Sequence, residues 1–503
     1  VLAASFTRTA ARELVQRDLP INDDHIGTLH ALCYRQMDRP NIITRTHLKD
    51  WNAEHPQWRF EGAPTDIDDP YGDIEASGQQ EGDRILQEYQ RLRNLTMPPE
   101  AWPIKIQWFA EAWTDFKQQS GLLDFTDLIA QCLHEQTAVP HDAAVLLLDE
   151  VQDFSPLELA LARHWGSQCD KVYLCGDDDQ CLYRFRGAVP DTFLFPELPA
   201  EQVQVLSQSY RVPRAVHAAA VRWVERLSQR MPKQYYPRDA DGEVGAFNIN
   251  YKYILPLKSE LDAWLDQGKT VAFLASCSFL IDPVKHQLRD WGIPFWNPYR
   301  RTRGDWNPLT GRAGTISAAE RLMAYRKVQE GEAWWTYRDL WLWASSLEAD
   351  PVFSRGAKTA MRKKAEAEET TNLAVAAEDL DIWMPSEETA DAATKGDLDW
   401  LEGHLLKTYE KPMRYACNIL RSRGRTALAN RPQVSIGTIH SYKGGESDVV
   451  VLFPDLSPSA YREWTTPGDC HDSVRRAYYV GMTRAKEALY WAQPVGLSIT
   501  GYL

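Results

Sequence analysis

Long apolar runs are missing from this sequence. Nothing in its 503 residues approaches the ~18 to 20 consecutive apolar positions that a spanning helix requires, and the opening residues lack the basic region and apolar stretch of a secretion signal. No membrane association is expected, and the cytoplasm is the expected compartment. Cysteine is sparse as well. The eight cysteines include no C-x-x-C pair, and the closest spacings, among Cys169, Cys175 and Cys181, are six residues. That pattern predicts reduced structural thiols rather than a zinc site or a disulfide framework. A basic excess is also absent: 70 acidic against 56 basic residues leave a net charge of -14, which argues against coating nucleic acid by bulk charge and leaves only local basic patches for such a role.

What remains is ordinary globular text, 44% hydrophobic and 25% charged, long enough for about three domains or subdomains. Short apolar runs at 1–5, 145–148, 171–175, 270–275 and 449–453 are continuous rather than alternating, as in parallel strands buried on both faces, and helical periodicity follows them. They fall before and after about residue 200, which predicts two α/β cores. Residues 36–120 and 299–432 differ in character, with turn-rich stretches leading into helical text, and are read as helical insertions. The run 332–347 holds Trp334, Trp335, Trp341 and Trp343, which at helical spacing predicts core rather than a stacking platform.

The strongest chemical signal is Val145-Leu-Leu-Leu-Asp149-Glu150-Val-Gln152-Asp153. A buried strand that ends in paired carboxylates puts them at the carboxyl edge of a parallel sheet, where open α/β folds bind ligands. One acid can hold Mg²⁺ while its neighbour orients or deprotonates a water. A second strand opens into Gly176-Asp-Asp-Asp-Gln180-Cys-Leu-Tyr183-Arg184-Phe185-Arg186-Gly187, where Gln180 suits a γ-phosphate sensor and Tyr183 and Phe185 offer ring faces. Together these two segments resemble the Walker B and third motifs of superfamily-1 DNA helicases of the UvrD/Rep type.

The remaining family motifs follow in order. Ser5-Phe6-Thr7-Arg8 resembles the segment that touches single-stranded DNA, and Gly27-Thr28-Leu29-His30 the next one. Leu123-Asp124-Phe125-Thr126-Asp127-Leu128 is similar to the acidic-aromatic segment before Walker B. Leu206-Ser-Gln-Ser-Tyr210-Arg211, Gly437-Thr438-Ile439-His440-Ser441-Tyr442-Lys443-Gly444-Gly445-Glu446 and Arg475 to Lys486 resemble motifs IV, V and VI. The resemblance implies two RecA-like cores of the P-loop NTPase type, each with a helical insertion: first core in 1–35 and 121–200, second core in 201–298 and 433–503. It implies an ATP- and Mg²⁺-dependent 3′-5′ helicase or translocase acting on single-stranded DNA and single/double-strand junctions, in repair, recombination or replication, with protein partners from those complexes and a bacterial or phage source. Asp149 would hold the metal, Glu150 the water and Gln180 the γ-phosphate. Arg211 and Arg484 would close from the second core, and Glu446 would meet the ribose. Ser5, Phe6, Thr7, Thr28, His30, Tyr183, Phe185, Arg186, Thr438 and His440 would meet DNA. The echo of Ile26-Gly-Thr-Leu-His30 in Ile436-Gly-Thr-Ile-His440 suits two loops gripping successive phosphates of one strand. Arg300, Arg301, Arg303, Arg312, Arg421, Arg423 and Arg425 are candidates for duplex phosphates or for plain solvated loops.

The sequence departs from the family at Ser209, Phe185 and Gly445, where Asn, Trp and Leu are usual. The larger departure is that no G-x-x-x-x-G-K-[ST] phosphate loop occurs. Gly268-Lys269-Thr270 comes closest, with Ala263 where the first glycine is needed, and it follows a helix. In the family this loop lies just upstream of Ser5. The expectation is therefore a fragment or mis-started frame of an ordinary helicase, with a strand lost from the first core and an edge exposed. The alternatives are a non-hydrolysing single-stranded DNA-binding protein, or the helicase subunit of a helicase-nuclease. Only 19 residues follow Arg484, so any nuclease is assigned to a partner.

Overall fold

The structure, a computed structural model, describes residues 1–6, 11, 14–15, 21–60, 81–189, 198–300, 303–310, 315–328, 331 and 334–502. Its strands form two all-parallel sheets. The first holds β1 (Leu2–Ser5), β2 (Ile26–Gly27), β3 (Val145–Asp149) and β4 (Lys171–Leu174) in the order β2-β1-β3-β4. The second holds β5 (Glu243–Ala246), β6 (Val271–Ala275), β7 (Phe295–Trp296), β8 (Val434–Thr438), β9 (Ser447–Leu452) and β10 (Ala485–Trp491) in the order β5-β10-β9-β6-β8-β7. This is the two-core α/β architecture expected from the strand text.

The period-2 geometry of a strand explains why the second sheet is apolar throughout. Val271, Phe273, Val449 and Val451 point into one cluster, shared with the helices between 318 and 429. Ala272, Leu274, Val450 and Leu452 point into another, under the helices Arg214–Val224 and Asp469–Met482. Cys181, Leu182 and Tyr183 of the first core's loop join that second cluster, so the two cores share an apolar seam. Trp335 and Trp343 are fully buried in the first cluster, while Trp334 is more exposed.

In the first core, β4 differs from its sequence reading. It was expected to be buried on both faces, yet Val172, Tyr173 and Leu174 are 41%, 51% and 43% exposed. The reason is positional: β4 pairs with β3 on one side and is the sheet's edge on the other. Continuous apolarity reports that a strand suits burial, not that a neighbour is present to bury it.

The helices Arg45–Glu54, Glu81–Asn94 and Ile104–Ser120 pack around Trp51 in an aromatic cluster of their own. Charge ties them to the first core. Asp124 caps the helix Phe125–His134 in a reciprocal box with Asp127. Lys117 Nζ then donates to Asp124 (2.8 Å) and Asp127 (2.5 Å), and Arg93 to the same two carboxylates at 3.2 and 2.7 Å. The acidic-aromatic segment is thus a buried four-member ionic lock between insertion and core. Among the described residues no helix is long and apolar enough to cross a membrane.

Candidate functional site

The register of β1 against β3 sets Ser5 beside Asp149 at the carboxyl edge of the first sheet. Ser5 is fully buried there, and its Oγ donates to Asp149 Oδ2 at 3.4 Å. Burial, and then the neighbouring Glu150 charge, hold Asp149 above the ordinary carboxylate range. The chain then turns sharply, with Glu150 in the left-handed region at φ 56°, a conformation that a non-glycine residue adopts at some cost and that clusters at functional sites. Glu150 Oε2 accepts from Gln152 Nε2 at 2.5 Å and from Lys443 Nζ at 2.9 Å. Burial works to raise Glu150, but the Lys443 ammonium outweighs it and the net shift is downward.

Lys443 reaches this site from the second core, from the turn that follows β8. It also bonds Asp153, whose side chain is fully buried, and donates to the Gln180 carbonyl at 3.2 Å. Burial opposes its charge, yet Asp153 and Glu150 hold it protonated above the ordinary lysine range. Burial likewise pushes Asp153 up to about 6 against the pull of Lys443, so the pair is ionised at neutral pH.

Gln180 joins the cores from the other side. Its Nε2 donates to Asp177 Oδ2 at 2.6 Å and its Oε1 accepts from Arg484 Nη2 at 3.2 Å. Arg484 is buried, and its other bonds go to Val480 O (2.9 Å), Thr483 Oγ1 (3.1 Å) and Gly445 O (3.4 Å). Every group it bonds among the described residues is neutral, and burial, then the nearby Arg211 charge, lower it to about 10. Arg211 itself pairs with Glu446 at 3.1 Å, and both are partly exposed. Beside it Tyr210 stands 88% exposed.

Asp149 and Arg484 are therefore charges of opposite sign, each without a counter-charge bonded to it among the described residues. Such groups could hold a metal-bound polyphosphate: a divalent cation would return the carboxylate toward its ordinary range, and a phosphate would neutralise the guanidinium. The consecutive Asp177, Asp178 and Asp179 also lie close enough together to suggest a metal site. Lys233 Nζ already occupies their centre, 2.6 Å from Asp177 Oδ1 and 3.0 Å from Asp179 Oδ2.

A second feature lies alongside. Phe6 packs 4.7 Å from Tyr183, and the Arg186 guanidinium lies 4.6 Å over the Phe6 ring. Phe185 sits 6.0 Å from Tyr183 and 5.9 Å from His440 of the second core. This aromatic and basic ledge spans both cores. The echoed threonines close similar turns: Thr28 Oγ1 caps the helix Leu29–Gln36 by accepting from Ala31 N (3.2 Å), and Thr438 Oγ1, at the end of β8, accepts from Ser441 N (3.1 Å), so much of the echo encodes a hydroxyl bonded to the N–H three residues on. His30 is buried 3.7 Å from Glu158, and burial lowers its pKa, leaving a neutral ring.

The model of the UvrD/REP helicase N-terminal domain matches residues 1–197, and that of the UvrD-like helicase C-terminal domain matches residues 339–493. The chain belongs to the UvrD/Rep-type superfamily-1 helicase family. DNA helicase II of Salmonella typhimurium is 23% identical over 318 residues, covering 56% of this chain and 41% of that protein. PcrA, an ATP-dependent DNA helicase of Staphylococcus aureus, is 26% identical over 274 residues, 48% of this chain and 36% of its own length. A putative ATP-dependent DNA helicase of Bacillus subtilis, YjcD, is 23% identical over 288 residues, 48% and 36%. The chain thus spans well under half the length of the relatives it matches.

Within this UvrD-type frame, sequence reasoning gave no role to Lys443, Tyr210, Lys233 or Asp153. Lys443 and Tyr210 lie inside quoted motifs, but their partners or their exposure are set by the approach of two distant segments. Thr7, Arg301 and Arg312 lie outside the described residues. Among the arginines read as phosphate contacts or solvated loops, Arg421 pairs with Asp399 and Glu402, Arg423 with Asp262, and Arg303 lies 3.9 Å over Trp306.

Proposed function

We propose that this chain is the motor of an ATP-dependent 3′-5′ DNA helicase or translocase that moves on single-stranded DNA and at single/double-strand junctions. The observation that carries the reading is that Asp149 on the first core and Arg484 on the second bond no counter-charge among the described residues, and that Gln180 of the first core bonds Arg484 directly. Bound together, Mg²⁺ and ATP would supply a neutralised triphosphate whose terminal phosphoryl is open to water. Asp149 would hold the metal with Ser5 steadying the carboxylate. Glu150, kept ionised by Lys443, would orient the water and take its proton. Arg484, already desolvated, would meet the γ-phosphate without reorganisation, and Arg211 would join it by leaving Glu446. Glu446 is then free to accept from a ribose hydroxyl, and the exposed Tyr210 ring offers a stacking face for a base.

Strand binding falls to the ledge. Phe6 and Phe185, packed on the buried Tyr183 ring, would supply ring faces for bases, Arg186 would supply charge, and the Thr28–His30 and Thr438–His440 turns, with Thr7, would position the backbone without reading its sequence. Because ledge and cleft both span the two cores, cleft closure would change the grip on the strand. Family membership supports roles in repair, recombination or replication, with protein partners from those complexes and a cytoplasmic location. The phosphate loop that the reading requires would come from a segment upstream of Val1, and the open, apolar edge of β4 supports a place for its strand.

A non-hydrolysing single-stranded DNA-binding protein is the second reading, favoured by a ring-and-arginine ledge that already spans both cores. Nucleotide affinity separates the two. A fluorescent ATP analogue should bind in a Mg²⁺-dependent manner to an upstream-extended chain, with Arg484→Ala weakening the analogue more than ADP. Equal loss for both nucleotides would remove Arg484 from the γ-phosphate.

A further inference from the structure

All three consecutive aspartates of the first core's loop are bonded by a short segment of the second. Arg230 donates two bonds to Asp179 (3.0 and 2.7 Å), the Met231 N–H donates to Asp178 Oδ2 (2.7 Å), and Lys233 bonds all three carboxylates. Asp178 and Asp179 are buried. One carboxylate in this cluster has a second task. Asp177 takes Lys233 on Oδ1 at 2.6 Å and the Gln180 Nε2 on Oδ2, also at 2.6 Å.

That arrangement decides which way the Gln180 amide faces. With its nitrogen donated to Asp177, its oxygen points to Arg484 Nη2 at 3.2 Å. A flipped amide would set its oxygen against a carboxylate and its NH₂ against a guanidinium, two repulsive contacts in place of two attractive ones. We propose that Lys233 is a positioning residue that, by holding Asp177, fixes the Gln180 amide with its oxygen toward Arg484. The run Lys233, Asp177, Gln180, Arg484 begins and ends in the second core and passes through the first, so it crosses the cleft twice and exists only at this separation of the cores. Without the ammonium, Asp177 faces Asp178 and Asp179 with one cation fewer, and on the oxygen opposite Gln180 it keeps only the longer bond from the Asp179 N–H, at 3.2 Å against 2.6 Å for Lys233. This rests on the proposed nucleotide cleft for its purpose, but not for its geometry.

The test reads the amide directly. In the 503-residue chain labelled with ¹⁵N-glutamine, the Gln180 side-chain signal is assigned by its loss in Gln180→Ala. Its solvent exchange should be slow in the parent, about tenfold or more faster in Lys233→Met, and slow again in Lys233→Arg. In a form that hydrolyses ATP, Lys233→Met should lower kcat about tenfold with KM for ATP within about twofold, and should add nothing to Gln180→Ala. Unchanged Gln180 exchange in a folded Lys233→Met overturns the proposal, as does full additivity with Gln180→Ala. If Lys233→Met does not fold, Asp177→Asn takes its place, and the same unchanged exchange counts against the proposal. A pinned amide in a chain that never hydrolyses ATP leaves the positioning role standing and removes the motor reading instead.

Discussion

Replacing Lys443 by Met would remove the one cation that bonds both Asp153 and Glu150 across the cleft. Glu150 is 34% exposed at its side chain and can be rehydrated, whereas Asp153 has no exposed side-chain surface. Without the ammonium, Asp153 must be neutral in the folded state while the unfolded chain ionises it near 3.8. Protonating such a group at pH 7 costs about 1.4 kcal/mol for each of roughly three pH units, or about 4 kcal/mol. That agrees with the roughly 3–5 kcal/mol lost when a buried ion pair is broken on one side. The sign follows from linkage: a carboxyl whose folded value is raised penalises the fold increasingly as pH rises above its unfolded value. The parent, with Asp153 at about 6, already carries about 3 kcal/mol of this at pH 7 and nearly all of it at pH 5, so denaturant unfolding should show Lys443→Met destabilised by about 1.4 kcal/mol more at pH 7 than at pH 5. Adding Asp153→Asn should recover most of the loss at pH 7. A penalty under about 1 kcal/mol, or one that does not change with pH, would refute the claim that this pair is buried and ionised.

Glu150→Gln should abolish nucleotide turnover and leave single-stranded DNA binding intact, measured by phosphate release and fluorescence anisotropy; loss of both would remove the assigned role. Phe185→Ala should weaken single-stranded DNA binding by about 1–3 kcal/mol if its ring stacks on a base, and an unchanged affinity and DNA-stimulated rate would count against the ledge. Burial works to raise Asp124, but Lys117 and Arg93 hold it far below the ordinary carboxylate range. Its stabilisation is therefore complete above the unfolded value of 3.8 and is lost as pH falls toward the depressed folded one. Asp124→Asn should flatten the acid limb of the pH–stability curve, and an unaltered limb would show that the lock is not what acid breaks.

The chemistry-bearing strands of the first core were legible because β1 and β3 are continuous apolar runs whose ends carry Ser5 and Asp149. Strands β8 and β10 carry no such continuous signal, since Ser435, Gly437, Lys486 and Glu487 interrupt their apolarity, although both lie in the second sheet. The exposure of β4 was hidden for the opposite reason, as its composition suits a burial that its edge position does not provide. The Thr28 and Thr438 echo was visible, but a threonine that suits phosphate contact also suits a bond to the N–H three residues on, and spacing cannot separate the two. Least legible were the bonds between the cores. Lys443 and Asp153 lie 290 residues apart and Lys233 and Asp177 lie 56 apart, and neither pairing leaves a local pattern. Ser5 shows the limit of motif reading: it stands in a segment read as DNA-contacting, and its hydroxyl lies buried under Asp149.

The central claim is that the cleft between Asp149, Glu150 and Arg484 hydrolyses ATP in response to single-stranded DNA. Phosphate release should be measured with and without single-stranded DNA for the 503-residue chain and for a version extended upstream through any encoded phosphate loop. The account predicts DNA-stimulated hydrolysis in the extended version. Silence in both, with single-stranded DNA still bound, would contradict it and leave a binding protein that does not use ATP.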